Sequence, residues 1–361
     1  MLIAANGKEL FVAKKSGHVV QLHLQNSAPI VDDLIDAEFF SDQNDFNGIP
    51  IPSFLGSFKS LRYLDLSGAG FQGMIPYQIG NLSSLCTFSI EGYTSDLQAD
   101  NLQWLAGLSN LKHLDMTNVD LSAAFNWLEV PNMIPSLITR LNNLISFNLG
   151  NNQFESCLDG IWNWSSLTSL DLSDNDLSTF LPSLLSTLTS LVSLVLSHND
   201  FQGYIPGSIA NISCLRLEVL ELRGNALAGS IPSNLGKLSS WECLDISKNK
   251  LTGTLPESLG QLSKLEKKYI TLSGGNFTGS IPRSLVNLEY LNHLDLGNNK
   301  VSLGRYRRLC KSYTSLLDNV DNVVKMGRSS AHGITSFRNC PQTFRELLGQ
   351  EVSGVAFHGA P

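Results

Sequence analysis

LTSLDLSDNDL at 167–177, LVSLVLSHNDF at 191–201, LEVLELRGNAL at 217–227 and WECLDISKNKL at 241–251 decide the fold. All four fit L-x-x-L-x-L-x-x-N-x-L in register. LRYLDLSGAGF from Leu61, LKHLDMTNVDL from Leu111, LISFNLGNNQF from Leu144 and LNHLDLGNNKV from Leu291 follow the same template. In L-x-L two leucines point one way and the residue between them points the other, as strand alternation requires. One such strand is too short to stand alone. Stacked copies pair their strands into a parallel sheet and bury a column of leucine.

Spacing gives the size of the unit. With weaker starts at Leu85, Leu137 and Leu265, the intervals from Leu61 to Leu291 are 24, 26, 26, 7, 23, 24, 26, 24, 24 and 26 residues. Nine of these ten are leucine-rich-repeat lengths. The expected fold class is an α/β solenoid of about ten coils, with short parallel strands on its concave face. The interval from Leu137 to Leu144 cannot hold a coil, so a distorted or truncated coil is expected near 131–145. About seventeen residues are missing there against the usual coil length.

Two further elements recur. Asn152, Asn175, Asn199, Asn225, Asn249 and Asn299 stand at the turn position. They are expected to be buried as a ladder whose amides satisfy orphaned backbone groups. Ala69, Val119 and Gly275 interrupt that ladder. After the turn come GMIP at 73–76, GYIP at 203–206, GSIP at 229–232, GTLP at 253–256 and GSIP at 279–282. The Gly permits a turn conformation and the Pro fixes φ, a structural role on the flank of the coil.

Composition agrees with one small unit used many times. Leu accounts for 60 of 361 residues, and only 16% of residues are charged. The net charge of −7 argues against a nucleic-acid partner, which requires a basic face. Residues 302–361 carry eight basic and four acidic residues, a net of +4, so 1–301 carry −11. The domain reading is an atypical segment at 1–16, a solenoid over 17–301 and a non-repeat tail of low order over 302–361. One helix is expected near 309–326. Nothing at 1–15 has a pattern suited to covering the first coil.

The combination of LDLSxNxF, GxIP and LGxL resembles plant extracellular leucine-rich repeats over 17–301. SGHVVQLHLQN at 16–26 and the stretch DLQADNLQWLAGLSNLKHLDM from Asp96, running on to Leu137, are similar to receptor-like proteins of the fungal-xylanase-receptor and disease-resistance type. The resemblance implies a plasma-membrane or extracellular recognition module. Its implied partners are a protein, peptide or glycan elicitor and a co-receptor kinase. It implies no catalytic domain. The sequence departs from the family in showing no signal peptide, no membrane span and no Cys before Cys86. It is therefore read as a truncated or altered copy.

Binding residues are sought at the outward positions of the strands. The middle column includes Asp65, Asp115, Asp171, Glu221, Asp245 and Asp295, an acidic stripe at a spacing of about 4.8 Å. Such a stripe suits a basic or hydroxyl-rich ligand. Local hydrogen bonding is the preferred explanation of it. The flanking column varies more and supplies Tyr63, His113, Tyr269 and His293 as specificity candidates. Asn81, Asn163, Asn211 and Asn276 head N-x-S/T glycosylation sequons. GxSxG, HExxH and P-loop patterns are absent, so no catalytic residue, cofactor or metal is expected. Two other functional readings stand beside the receptor module. One is a secreted polygalacturonase-inhibitor-like protein and the other is a non-functional fragment of a receptor gene.

Overall fold

The computed structural model describes residues 11–15, 18–24, 46–92, 97–124, 141–153, 164–181, 185, 187–211, 217–238, 240–261, 268–287, 291–301 and 324–325. The fold is a leucine-rich-repeat one. Each coil lays a short strand beside its neighbour's and returns through a 3-10 turn. No α-helix occurs among the described residues. The chain divides into two compact units, 1–179 with 184–201, and 180–183 with 202–361.

In the first unit the strands run Phe11–Lys15, His18–His23, Tyr63–Asp65, Thr87–Ser89, His113–Asp115, Ser146–Asn148, Ser169–Asp171 and Ser193–Val195. All but the first pair are parallel, and the register has no slip from coil to coil. Leu64, Phe88, Leu114, Phe147, Leu170 and Leu194 therefore form one inward column, none more than 1% exposed. Burying each such side chain is worth roughly 1.5–3 kcal/mol. The second unit repeats the arrangement over Val219–Glu221, Cys243–Asp245, Lys268–Thr271, Leu291–Asp295 and Val324–Lys325. Leu220, Leu244, Ile270 and Leu294 are its aligned inward residues.

Three features differ from the sequence-based expectations. Strand His113–Asp115 pairs directly with Ser146–Asn148, so no strand of the sheet starts at Leu137. Leu144, the first leucine of the second strand's coil, is buried. Ile270 and Leu272 fill the inward positions of their coil, two residues later than a start at Leu265 places them. At the N-terminal edge, Phe11–Lys15 folds back antiparallel on His18–His23 and pairs the edge of the first strand. Such pairing covers a strand edge that would otherwise recruit another chain. The helix expected near 309–326 lies outside the described residues, except that Val324–Lys325 is a strand beside Leu294–Asp295.

On the other side of the coils, prolines start the 3-10 turns. The carbonyls of Pro52, Pro76, Pro232, Pro256 and Pro282 accept from the amide three residues on, at 3.0–3.3 Å. The glycine of each GxIP segment sits in the left-handed region, as at Gly253 with φ 83°. The turn glycines serve a different need. A Cβ at Gly56, Gly80, Gly236 or Gly260 would lie 1.9–2.5 Å from a carbonyl oxygen of the next coil. Only a hydrogen at that position lets the turns stack this closely.

The asparagines bind the coils together. Asn249 Nδ2 donates to Ile246 O and Ser247 O in its own turn, both at 3.1 Å, and to Leu222 O of the preceding coil at 2.8 Å. Its Oδ1 accepts from Leu227 N of that same coil at 3.0 Å. Asn199 and Asn299 repeat the set with Leu177 N and Phe277 N as the incoming donors. Asn175 donates to Leu149 O, Leu172 O and Ser173 O, and accepts from Asn152 N. Asn225 holds its own turn through Leu222 O and Arg223 O. Asn152 Oδ1 accepts from Val119 N, so the coil lacking its own turn asparagine is held from its neighbour. All six are 8% exposed or less. The residue before each takes up left-handed backbone: Asn151, Asp174, His198, Gly224, Lys248 and Asn298. Glycine, Asn and Asp adopt that conformation at least cost.

Asn249→Ala takes one donor from each of three carbonyls, Leu222 O, Ile246 O and Ser247 O, and removes the acceptor of the Leu227 amide. It should destabilise the protein by roughly 3 kcal/mol in urea titration, whereas Lys250→Ala on the exposed face should change stability by less than about 0.5 kcal/mol. Gly236→Ala should cost roughly 1–3 kcal/mol by the same titration, because its Cβ meets Ser258 O.

Candidate functional site

The outward face of the strands presents two columns with different tasks. In the middle column the carboxylates are committed to the backbone. Oδ1 of Asp65, Asp115, Asp171, Asp245 and Asp295 accepts from the amide two residues on, at 2.9–3.1 Å. Asn148 makes the same bond to Gly150 N with its amide oxygen. Asp115 and Asp171 also take the hydroxyls of Thr117 and Ser173 at 2.7 Å. Each side chain thus ends its strand and fixes the turn that follows, which after Asn148, Asp171, Asp245 and Asp295 carries the ladder asparagine. Asp65 is buried and the others are half-buried. Glu221, one methylene longer, instead accepts weakly from the Cys243 thiol at 3.7 Å.

The flanking column carries aromatic rings and imidazoles. In the first unit, Tyr63 stacks on His23 with ring centroids 4.3 Å apart, and the Tyr63 hydroxyl donates to Asp65 Oδ2. Burial and the Asp65 charge hold the Tyr63 hydroxyl above its ordinary pKa. His113 is exposed two strands away. In the second unit, Tyr269 is 46% exposed and its ring lies 6.3 Å from that of His293. Glu221, Asp245 and Asp295 lie beside them, and Arg223 reaches Asp245 at 3.7 Å. The ten candidate residues therefore form two groups: Tyr63, Asp65, His113, Asp115 and Asp171 on the first unit, and Glu221, Asp245, Tyr269, His293 and Asp295 on the second.

His23 and Glu91 belong to the first group and were not singled out by the repeat pattern. His23 falls in a strand whose coil has no repeat match, though its place in SGHVVQLHLQN was visible. Glu91 falls one outward position beyond the middle column. Burial first, then the charges of Asp115 and Asp65, push its carboxyl pKa up. On the second unit, burial and the Glu221 and Asp245 charges raise the Cys243 thiol to about 12. No group of three His, Cys, Asp or Glu among the described residues is arranged to hold a metal. No described helix is long and apolar enough to cross a membrane.

A second surface lies on the flank of the first unit. Met74, Tyr77, Asn81, Asp100, Gln103 and Trp104 are among the residues lining an open groove of about 720 Å³. Of the sequon asparagines, Asn81 and Asn276 are exposed. Asn163 lies outside the described residues, and Asn211 ends a 3-10 turn.

Asp171→Asn keeps the turn acceptor and should leave stability within about 0.5 kcal/mol. Asp171→Ala removes it and should cost roughly 1–2 kcal/mol in the same denaturant titration. Cys243 should stay protonated at pH 8 and react with iodoacetamide far more slowly than free cysteine. Its rate should climb only as pH approaches 12, read by mass spectrometry of the labelled peptide.

Comparison with known proteins agrees with this architecture. Residues 60–82, 166–188, 190–212, 216–238 and 240–262 match the Leucine Rich Repeat family. Receptor-like protein EIX1 of Solanum lycopersicum is 31% identical over 219 residues, covering 48% of this chain and 21% of its own length. The chain thus spans about a fifth of that relative. Among solved structures, a TDR receptor aligns over 77% of this chain and 46% of its own, with TM-score 0.63 and 26% identity. The ectodomain of the Arabidopsis receptor kinase HAESA, in complex with an IDA peptide hormone, aligns over 75% of this chain and 46% of its own. Its TM-score is 0.57 and its identity 28%. The chain's repeats are thus similar in sequence to part of a plant receptor-like protein.

Proposed function

We propose that this chain is the ligand-recognition part of a plant receptor-like protein that acts outside the plasma membrane in defence or developmental signalling. It binds a peptide or protein elicitor on the outward face of its strands and passes the signal to a co-receptor kinase. The observation that carries this reading is the division of labour on that face. The Asp column is spent on turn geometry, so it serves as rigid frame, while Tyr63 with His23 and Tyr269 with His293 stand beside it as amphipathic contact groups. Aromatic residues of this kind, held on a rigid scaffold, carry much of the energy in peptide and protein recognition. Similarity to a receptor ectodomain seen with a peptide hormone supports a peptide as the ligand.

The remaining carboxylate oxygens and Glu91 give the face a negative potential, which favours a basic peptide.

A phage-displayed random peptide library selected on the immobilised full chain tests the assignment. Selected peptides should be basic. Tyr269→Ala and Tyr63→Ala should each weaken a peptide bound at their unit at least tenfold, about 1.4 kcal/mol, in calorimetry. Binding that these substitutions leave unchanged would move the site off the strand face. Inhibition of a fungal polygalacturonase by the chain, without peptide binding, would favour the inhibitor reading.

A further inference from the structure

We propose that two copies of this chain associate along the edge formed by the turns that follow the strands, the first unit of one copy meeting the second unit of the other. The contact uses neither the recognition face nor the flank groove. It does not depend on the receptor reading.

The argument begins with the residues on either side of the ladder position. In the first unit they include Asp120, Asp174, Asp176 and Asp200, and in the second Lys248, Lys250 and Lys300. Asp120 is half-buried and the other six are exposed. Their backbones are held alike. The amides of Asp120, Asp200, Lys250 and Lys300 each donate to a carbonyl of the preceding coil at 2.7–3.0 Å. Asp174 and Lys248 share left-handed backbone, with φ 53° and 52°. Each donates its amide to the following coil, at Ser197 O and Ser273 O. The two units thus present equivalent backbone sites with opposite charges.

Most of these charges have no counterion in their own chain. Asp174 meets the exposed His198 at 2.9 Å. The other three acids and all three lysines make no ion pair among the described residues. Asp120 gives Oδ1 to Ser122, which leaves its second oxygen. Like charges gathered on one edge repel one another until an opposite row covers them.

The spacing of the two rows matches. Asp120 and Asp176 follow strands two apart, with Ser146–Asn148 between. Lys250 and Lys300 also follow strands two apart, with Lys268–Thr271 between. Antiparallel approach of two copies sets Asp176 against Lys250 and Asp120 against Lys300. The same approach sets Asp174 against Lys248, since each stands two residues before its neighbour in the row. Every copy carries both rows, as a self-complementary two-fold contact requires. The flank beside the lysines adds apolar area. Tyr204 bridges to Ala228, which pairs with Lys250, and Tyr204 is 71% exposed. The opposite edge, where the strands begin, offers no such match. Arg62 and Lys112 there precede strands two apart, whereas Glu218 and Glu242 precede adjacent strands.

Sedimentation velocity of the full chain tests the proposal. The chain should form dimers, and their dissociation constant should rise roughly tenfold or more between about 0.1 M and about 1 M salt. Asp176→Lys and Lys250→Glu should each weaken the dimer roughly tenfold or more, although they move the net charge in opposite directions. An equal mixture of the two variants should dimerise again, because each then meets the opposite charge. Glu242→Lys, on the other edge, should dimerise as the unaltered chain does. All three positions are exposed, and thermal melting checks that each variant is folded. A chain that stays monomeric at every concentration overturns the proposal. So does a dimer that survives either reversal, a mixture that stays monomeric, a loss of dimer in Glu242→Lys, or association that runs on to polymers.

Discussion

The fold depends on a single side-chain interaction repeated along the chain. Backbone carbonyls at the end of each strand turn inward, where no water can satisfy them. An asparagine amide has two donors and one carbonyl, enough to close its own turn and reach the coil before it. Asn199, Asn249 and Asn299 do this in the same way. The leucine column supplies most of the burial energy, but it is non-directional. The amide bonds fix the register that keeps Leu170 opposite Leu194 and Leu220 opposite Leu244. Close stacking of the turns at Gly56 and Gly80 is the matching constraint on the far side.

That constraint limits which side chains remain for recognition. The Asp column looks on paper like an acidic binding stripe. In the structure its oxygens hold the turns that end the strands, and Asn148 substitutes for Asp without loss of the bond. An interaction that a neutral amide reproduces is a matter of acceptor geometry more than of charge. The surplus of chemistry on the face lies one position earlier, in tyrosine and histidine. Those groups vary from coil to coil because nothing in the repeat requires them.

Much of this was legible in the sequence because the repeat states both period and face. The inward leucines, the turn asparagines and the outward columns follow from one eleven-residue template. What the template hides is anything outside its period. Leu137 offered a plausible coil start, yet His113–Asp115 and Ser146–Asn148 are direct neighbours, since strand pairing rather than leucine spacing decides what stacks. The antiparallel strand Phe11–Lys15 carries no repeat signal, and its partner is defined only by a free sheet edge. His23 and Tyr63 meet across coils 40 residues apart in number, a contact that no local pattern announces. The flank groove arises between two turns whose side chains belong to different coils.

Hydrogen–deuterium exchange of the full chain tests the central claim most directly. The amides of Leu177 and Leu227 sit outside the strands, that of Phe277 sits in the short flank strand Asn276–Thr278, and all three have asparagine oxygens as their acceptors. If those side chains hold the coils together, the three amides exchange as slowly as the strand amides of Leu170, Leu220 and Ile270. Exchange at the rate of surface loops would contradict the account, because the coils would then be held by leucine packing alone.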